Sequence, residues 1–310
     1  MYLGFDTSNY TTSLAMFDGK NIFQQKKLLT VRHGERGLRQ SEAVFQHTVN
    51  MPNLVNELDF DNEDINAVGV SARPRNIEGS YMPCFTVGIN VATAVSKFTS
   101  SKLYTTSHQV GHILAALYSV DKLELVNEEF IAFHLSGGTT EALLVRPDKN
   151  EIIKAEIIAQ SIDLKAGQAI DRTGVLLGLT FPCGKEIDAL SQKSDKNYKI
   201  KPSMKGFDCS LSGVENKVKA MIESGERRED TAKFVLTYIS STLEKMTELI
   251  IKKYGNLPLA YAGGVMSNSF IKSNILNKFD NAYFAKPEFS CDNAAGTAIY
   301  AYLKDKQNEY

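Results

Sequence analysis

Two histidines, His108 and His112, are four residues apart and could together hold a metal ion. They lie in LYTTSHQVGHILAALYSV, whose apolar residues recur at helical spacing, so the segment predicts a helix that begins near the Ser/Thr cluster at 105–107. Residues four apart project from one face of a helix, and both imidazoles could reach one ion. Two surface histidines at helical spacing are the alternative, because a metal site needs a third donor.

Asp292 is the candidate third donor. It lies in FSCDNAAGTAIYAYL, just before a strongly helical segment. An aspartate at that point can cap the helix. It can equally complete a two-histidine, one-carboxylate site with open coordination positions, which suits Fe(II) or Zn(II). Sequence spacing leaves both interpretations open.

The elements that must position these residues come in two similar halves. YLGFDTSNYTTSLAMFDGKNIFQQ predicts a strand, a small polar turn, a strand, an Asp-Gly hairpin and a third strand, and EFIAFHLSGGTTEALLVRPDKNEIIKAEII predicts the same order. Each segment is followed by a helical stretch and then by a short apolar strand that ends in small residues, NAVGVSARP or PLAYAGGVMSN. The repeat predicts a duplicated α/β domain with a cleft between its halves; a coincidence of hairpins is the alternative.

Turns rich in Gly, Ser and Thr follow three of these strands, in DTSNYTTS, SGGTTE and AGGVMSN. Such turns place backbone N–H and hydroxyl donors where phosphate oxygens could bind, and glycine lets a ring or ribose approach the backbone closely. Many turns of this composition bind nothing. Three of them at strand ends favour a nucleotide site.

Composition bounds the class of protein. The 310 residues suffice for two domains, and 43% hydrophobic with 23% charged content is typical of a soluble globular protein. No apolar run approaches the ~20 residues of a membrane helix. The N-terminus lacks a signal-peptide pattern, and the four separated cysteines favour reduced thiols, so we expect a cytoplasmic protein without membrane contact. A net charge of −1 argues against a globally basic nucleic-acid binder, so RNA contact needs a local patch or a partner protein.

A lysine-rich run, KSDKNYKIKPSMKG at 193–206, carries five of the lysines. It predicts a solvated loop, with contact to RNA phosphate as the alternative.

Seven segments resemble, in order, the motifs of the tRNA adenosine threonylcarbamoyltransferases, a family once described as sialoglycoprotein endopeptidases. GFDTSNYTTSLAMFD resembles the family's opening G-(I/L)-E-T-S hairpin, SHQVGHI its H-x-E-G-H metal pair and HLSGGTTEALL its S-G-G-H-T loop. SIDLKAGQAIDRTGVLLGLTFPCGKEIDAL resembles D-D-A-x-G-E-A-F-D-K with L-G-L-x-Y-P-G-G-P, and FDCSLSGVENKV resembles F-S-F-S-G-L-K. YAGGVMSN resembles A-G-G-V-x-A-N, and FSCDNAAGTA resembles C-T-D-N-A-A.

The resemblance implies an α/β protein with the actin/Hsp70-like ATPase fold, two ribonuclease-H-like subdomains and a central nucleotide and metal cleft. We expect the first subdomain at residues 1–118, completed by a C-terminal helix at 293–310, and the second at 119–292. The resemblance also implies that one divalent ion, Fe or Zn, is held by His108, His112 and Asp292.

An adenine nucleotide, either ATP or AMP or an acyl-adenylate, is the second implied ligand. The residues implied for its phosphate or acyl oxygens are Leu135, Ser136, Gly137, Gly138 and Thr139. Those implied for its nucleoside are Asp171, Gly184, Asp188 and Asn268. Thr7 and Ser8 are expected to form a supporting phosphate loop.

The family activity implied is transfer of a threonylcarbamoyl group from threonylcarbamoyl-adenylate to the exocyclic amine of a tRNA adenosine, which makes the chain an acyltransferase. Because AMP leaves readily, we assign no catalytic nucleophile. A nucleotide-binding scaffold of a tRNA-modifying complex and an ATPase or phosphotransferase of the same superfamily are the alternatives. A zinc peptidase of the H-E-x-x-H type is disfavoured, because Gln109 replaces the glutamate that serves as its general base.

The chain departs from the family pattern at single positions and in two segments that would face the acceptor. Thr139 replaces a histidine, and Leu164 and Gln168 replace acids. The family's G-G-V-x-P-E-x-A-S-R-x-H stretch is GERGLRQSEAVFQH at 34–47, which keeps His47 and a shifted Glu42, and its T-x-G-P-G-x loop is SARPRNIEGS at 71–80.

Arginines in or beside these altered segments would suit a phosphate-bearing acceptor. They are Arg32, Arg36, Arg39, Arg73 and Arg75. Pairing with Glu35, Glu42 and Glu78 is the alternative. We expect tRNA as acceptor and other tRNA-modification proteins as partners, with a changed acceptor as the second possibility.

Overall fold

The computed structural model describes residues 1–8, 10–31, 38–58 and 64–308. The chain divides into two compact units. The first unit comprises Met1–Asn127, Arg146–Ala155 and Cys291–Tyr310, and the second comprises Glu128–Val145 and Glu156–Ser290. The subdomain boundaries expected at residues 118 and 292 stay a prediction.

Each unit is built on a five-stranded sheet. The first sheet has the order β3-β2-β1-β4-β5, with β1 antiparallel to β2 and parallel to β4. Its strands are β1 (Tyr2–Asp6), β2 (Thr11–Phe17), β3 (Ile22–Leu28), β4 (Ala67–Arg73) and β5 (Lys102–Ser107). The predicted Asp-Gly hairpin joins β2 to β3, where Gly19 has a φ of +99° and Asp18 accepts hydrogen bonds from two backbone N–H groups.

The second sheet repeats this order as β12-β11-β6-β7-β8, read from the opposite edge. Here β6 is antiparallel to β7 and parallel to β11. The strands are β6 (Phe130–Leu135), β7 (Thr140–Asp148), β8 (Ile152–Gln160), β11 (Leu259–Ala262) and β12 (Ala282–Phe284). A separate hairpin consists of β9 (Ser203–Lys205) and β10 (Asp208–Ser210). Shared strand order and direction confirm the internal repeat.

Helices follow the strands as the periodicity predicts. They are α1 (Gln40–Glu57), α2 (Phe85–Thr99), α3 (His108–Ser119), α4 (Ala166–Leu176), α5 (Gly184–Ser191), α6 (Gly213–Glu223), α7 (Arg228–Tyr254), α8 (Ser269–Leu276), α9 (Pro287–Ser290) and α10 (Ala295–Gln307). Across the described ranges, none is long and apolar enough to cross a membrane.

Each unit has its own apolar core, as the repeat requires. In the first unit, Phe5, Val68 and Val70 on the sheet are buried together with Met51 of α1 and Ala92 of α2. In the second unit, three aromatic rings stack across neighbouring strands. The centroids of Phe133 and Tyr261 are 4.6 Å apart, and those of Tyr261 and Phe284 are 4.8 Å apart. Burial of these strand faces fixes the register and therefore the positions of the strand ends.

Candidate functional site

The two histidines open helix α3 directly after β5. Ser107 caps the helix by accepting a hydrogen bond from Val110 N at 3.2 Å, so the predicted helix start is confirmed. One helical turn separates His108 from His112, and their ring centroids are 4.3 Å apart. The pair therefore faces the same side of α3.

Asp292 reaches this pair because α10 packs on α3 at backbone contact. A Cβ added to Gly296 of α10 would lie 1.8 Å from the carbonyl oxygen of Gly111, which lies between the two histidines. Only glycine permits this approach. It places Asp292 Oδ1 at 3.1 Å from His112 Nε2 and at 3.4 Å from His108 Nε2.

The competing interpretation of Asp292 as a helix cap is wrong. The N-cap of α10 is Ala294, and the N–H of Ala295 donates to Asn293 Oδ1 at 3.0 Å rather than to Asp292. Asp292 is thus available to the histidines.

Asp6 completes the group from the other side of His108. Its Oδ2 lies 2.9 Å from His108 Nδ1, and its side chain is 1% exposed. The hydroxyls of Ser8 and Ser71 donate to the same carboxylate. Such an acid holds the imidazole in one orientation and leaves the second ring nitrogen directed at the remaining ligands. Asp6 was not among the predicted site residues, although an acid at the end of a buried strand is itself a signal of function.

Electrostatics favour positive charge at this point. Burial lowers the pKa of His108, but Asp6 and Asp292 outweigh it and raise that pKa to about 10. Burial raises the pKa of Asp292, yet hydrogen bonds from His108 and His112 hold it far below its usual range. Burial likewise raises the pKa of Asp6, and His108 with the serine hydroxyls lowers it further than burial raises it.

The donor set fits a metal ion. One ligand atom from each of His108, His112 and Asp292 lies within 4.8 Å of the others. Ligands bound at ~2.1 Å to a common ion lie roughly 3 to 3.5 Å from one another, and the two histidine–carboxylate distances are of that size. Two imidazoles and one carboxylate form a donor set that Fe(II) and Zn(II) accept.

The glycine-rich loop between β6 and β7 lies in the second unit and directs backbone donors at one oxygen. Gly138 N and Thr139 N both point at Ser136 Oγ, at 3.3 and 3.1 Å. Gly137 and Gly138 are exposed. Two N–H groups that converge in this way form an anion-binding arrangement.

Two close backbone approaches hold the β6–β7 loop in place. A Cβ on Gly263, whose φ is +98°, would lie 2.2 Å from Leu135 O. A Cβ on Gly167 would lie 2.7 Å from the backbone of Ser136. The turns after β6 and β11 are therefore in contact.

Two of the predicted nucleoside residues, Asp171 and Asp188, accept hydrogen bonds from the chain neighbours of the other two, Gly184 and Asn268. Asp171 Oδ1 accepts from Cys183 N at 2.9 Å, next to Gly184 at the start of α5. Burial raises the pKa of Asp171, and the bond from Cys183 opposes that effect. Asp188 accepts from both the backbone N–H and the hydroxyl of Ser269.

Asn268 precedes Ser269 and caps α8 by accepting from Ile271 N at 3.0 Å. This cap uses Asn268 Oδ1 and leaves the side-chain amide N–H₂ outside the bond.

Thr7 and Ser8 are buried rather than presented at a surface. Thr7 Oγ1 donates to Cys84 O and accepts from Gly88 N of α2. Ser8 bonds Asp6 through its backbone N–H and its hydroxyl. Their role as a phosphate loop stays a prediction.

The departing segments are described in part. Arg32, Glu35 and Arg36 lie outside the described residues, as do residues 34–37 of the first altered segment. In the second altered segment, Arg73 lies 3.6 Å from Glu151 and donates to Asn76 Oδ1 at 2.9 Å. The alternative given for the arginines, pairing with nearby glutamates such as Glu78, did not include Glu151.

Two further residues compared with the family pattern, one replaced and one kept, are buried. Leu164, which replaces an acid of the family motif, is buried in the second core. His47, which the altered segment keeps, is buried and lies 2.8 Å from Thr12 Oγ1.

Similarity to solved structures defines the class. HypF from T. kodakarensis superimposes with a TM-score of 0.61 at 13% identity, over 99% of this chain and 48% of that one. The (R)-2-hydroxyglutaryl-CoA dehydratase component A of Acidaminococcus fermentans gives 0.56 at 14%, over 98% of both chains. At such identities the likeness shows the fold alone, and that fold is the actin/Hsp70-like ATPase fold predicted from the sequence.

Sequence similarity then gives the family. The family model of tRNA N6-adenosine threonylcarbamoyltransferase (TsaD) matches residues 23–299. The tRNA N6-adenosine threonylcarbamoyltransferase of Thermosipho africanus is 30% identical over 320 residues, which cover 97% of this chain and 93% of the relative. The chain therefore belongs to the tRNA N6-adenosine threonylcarbamoyltransferase family, as its seven motifs predict.

Proposed function

We propose that this chain transfers a threonylcarbamoyl group from threonylcarbamoyl-adenylate to the N6 amine of an adenosine in tRNA. Membership of the family supports the activity. The observation that carries the proposal is the convergence of His108, His112 and Asp292 in the first unit, at distances suited to one metal ion. In the transfer, the amine nitrogen bonds the carbamoyl carbon and loses a proton, and AMP leaves with the bridging oxygen.

The proposed metal ligands are His108 Nε2, His112 and Asp292, with Asp6 orienting His108 through Nδ1. A bound Fe(II) or Zn(II) ion would supply Lewis acidity and a template for substrate oxygens. The three donors leave positions open for such a role. Deep burial of Asp6 keeps its carboxylate on His108 and away from substrate.

The adenylate is proposed to bind the second unit. Backbone N–H groups of Gly138 and Thr139, which now donate to Ser136 Oγ, would donate to a phosphate oxygen instead. The free amide N–H₂ of Asn268 and the second carboxylate oxygen of Asp171 would contact the nucleoside. These fixed donors would stabilise charge on the leaving phosphate, so the enzyme acts as an acyltransferase without a covalent nucleophile.

We also infer that a partner protein, or a changed acceptor, completes turnover in the cytoplasm. The support is the altered sequence at 34–47 and 71–80. Within the second segment, Arg73 is engaged by Glu151 and Asn76 rather than presented for phosphate. Reconstitution with threonylcarbamoyl-adenylate and unmodified tRNA tests this inference. Complete modification by this chain alone would contradict it.

Nucleoside analysis of tRNA from cells that lack the chain tests the transfer itself. We expect N6-threonylcarbamoyladenosine to disappear and to return with the wild-type gene but not with His108→Ala/His112→Ala. AMP release from threonylcarbamoyl-adenylate by the purified chain separates the transferase from a scaffold, and absence of ATP turnover separates it from a phosphotransferase. An unchanged level of the modified nucleoside would refute the proposal.

A further inference from the structure

The lysine-rich segment 193–206 takes no part in the site described above. It connects α5 to the β9–β10 hairpin in the second unit and carries five lysines against one aspartate, in a chain whose net charge is −1. The structure shows which of these lysines are engaged and which are presented.

One lysine anchors the segment. Lys196 Nζ lies 2.5 Å from Glu226 and 3.7 Å from Asp230. Ser194 adds a bond of 2.6 Å to Asp230, and its hydroxyl accepts from Lys196 N. The ring of Tyr198 packs edge-on against Phe234 of α7 at a centroid distance of 5.4 Å. The start of the segment is therefore fixed to the body of the unit.

Beyond this anchor, burial alternates with a period of two. Tyr198, Ile200 and Met204 are half-buried and pack against the core of the second unit. The residues between them, Lys199, Lys201, Ser203 and Lys205, are exposed. A period of two is that of an extended chain, in which alternate side chains lie about 6.6 Å apart on one face. Three ammonium groups thus share the outer face of a segment whose inner face is held by apolar contacts.

These three lysines are not neutralised within the chain. Among the residues that the structure describes, no hydrogen-bond or ion-pair partner is found for the ammonium groups of Lys199, Lys201 and Lys205. Asp208 pairs with Lys205 across the β9–β10 hairpin, but its carboxylate accepts from Gln160 N at 2.8 Å. A row of unpaired charges of one sign, held by packing, suits a polyanion, because little side-chain and backbone order has to be created on binding.

We propose that Lys199, Lys201 and Lys205 form a binding surface for the phosphate backbone of the tRNA substrate. The inference rests on the proposed function for the identity of the RNA. Lysine acts on phosphate as a point charge, so the surface would set affinity and orientation rather than sequence preference. It would supply the local basic patch that a chain without global positive charge needs for RNA.

Salt titration of tRNA binding tests the surface on the full-length, metal-loaded chain. Binding of unmodified tRNA is measured between 50 and 200 mM salt for wild type and for Lys199→Gln/Lys201→Gln/Lys205→Gln. Three lost phosphate contacts should lower the slope of log affinity against log salt by about 2 to 3. The KM for tRNA should rise, whereas kcat and the KM for threonylcarbamoyl-adenylate should not change.

Matched variants separate position from overall charge. Lys27→Gln/Lys149→Gln/Lys154→Gln removes the same charge from exposed lysines of the first unit and should keep the wild-type slope. Lys199→Arg/Lys201→Arg/Lys205→Arg keeps the charge and should also keep it. The proposal would be overturned if the two glutamine variants gave equal slopes of log affinity against log salt. It would also be overturned if the arginine variant gave a slope as low as that expected for Lys199→Gln/Lys201→Gln/Lys205→Gln. If wild type transfers normally and the first glutamine variant matches it, the surface is wrong and the proposed function stands. If tRNA binding depends on the three lysines but the chain transfers no threonylcarbamoyl group, the proposed function is wrong and the proposed binding surface stands.

Discussion

In the first unit the residues of the turn after the first strand are buried, whereas in the second unit the glycines of the equivalent turn are exposed to solvent. We call these the inward turn and the outward turn. Thr7 and Ser8 follow β1 and are fully buried. Their hydroxyls donate hydrogen bonds to Cys84 O and to the carboxylate of Asp6. Gly137 and Gly138 follow β6 and are exposed. One strand order therefore supports two arrangements: an inward turn that orients His108, a proposed metal ligand, and an outward turn that offers backbone N–H groups. The comparison teaches that a duplicated fold fixes where the ends of strands lie, while local side chains decide what they bind.

Changing Asp292, a proposed metal ligand, should have the largest effect. Asp292→Asn keeps the shape of the side chain but removes the charge next to both histidines, and kcat/KM for transfer should fall by roughly 100-fold or more, the size expected for losing a metal's contribution. Cys291→Ser, at the exposed neighbouring position, is the matched control and should behave as wild type. Wild-type activity in Asp292→Asn would remove the metal site from the mechanism.

Asp6 tests the inward turn directly. Asp6→Asn keeps a hydrogen bond to His108 but loses the carboxylate charge, so metal affinity should fall by ~10- to 100-fold. Competition with a chelator of known affinity measures the change. The equivalent change in the second unit, Ser136→Ala, should leave metal affinity unaltered. Equal metal affinity in wild type and Asp6→Asn would show that the two turns do not differ in this way.

Close backbone contacts should dominate stability in both units. In the first unit, the Cβ of Gly296→Ala would overlap Gly111 O, and in the second that of Gly263→Ala would overlap Leu135 O at a positive φ. Each substitution should lower the free energy of unfolding by ~1–3 kcal/mol or more. Gly138→Ala, where a Cβ meets no atom within 4 Å, is the control and should unfold like wild type in chemical denaturation. Unchanged stability in Gly296→Ala would contradict the packing that positions Asp292.

The smallest expected effect is on Asn268, where substitutions distinguish its role as the cap of α8 from its predicted role in nucleotide binding. Asn268→Ala loses the cap of α8 and should cost about 1 kcal/mol of stability, whereas Asn268→Ser keeps a capping oxygen. Both variants lose the amide N–H₂, so both should weaken adenine nucleotide binding by ~1–3 kcal/mol in calorimetry. Wild-type nucleotide affinity in Asn268→Ser would assign Asn268 to the cap alone. Asp171→Ala should weaken nucleotide binding by a similar amount.

Features that depend on residues close together in the sequence could be predicted, and features that depend on distant residues could not. The helix start at Ser107 and the shared face of His108 and His112 depend on residues within one turn, and local pattern was enough to predict them. The choice between cap and ligand for Asp292 depends on the contact between Gly111 and Gly296, which are far apart in sequence. The bond from Asp6 to His108 spans 102 residues. For the same reason the alternative of ion pairing for the arginines named only nearby glutamates such as Glu78, whereas Arg73 lies next to Glu151.

Metal content tests the central claim that the inward turn and α3 form a metal site. Elemental analysis of protein purified without chelator should find about one Fe or Zn per chain in wild type, and none in His108→Ala/His112→Ala, because the variant keeps one of the three donors. Circular dichroism of the same sample verifies that the variant is folded. One metal ion per chain retained in the folded double variant would contradict the account.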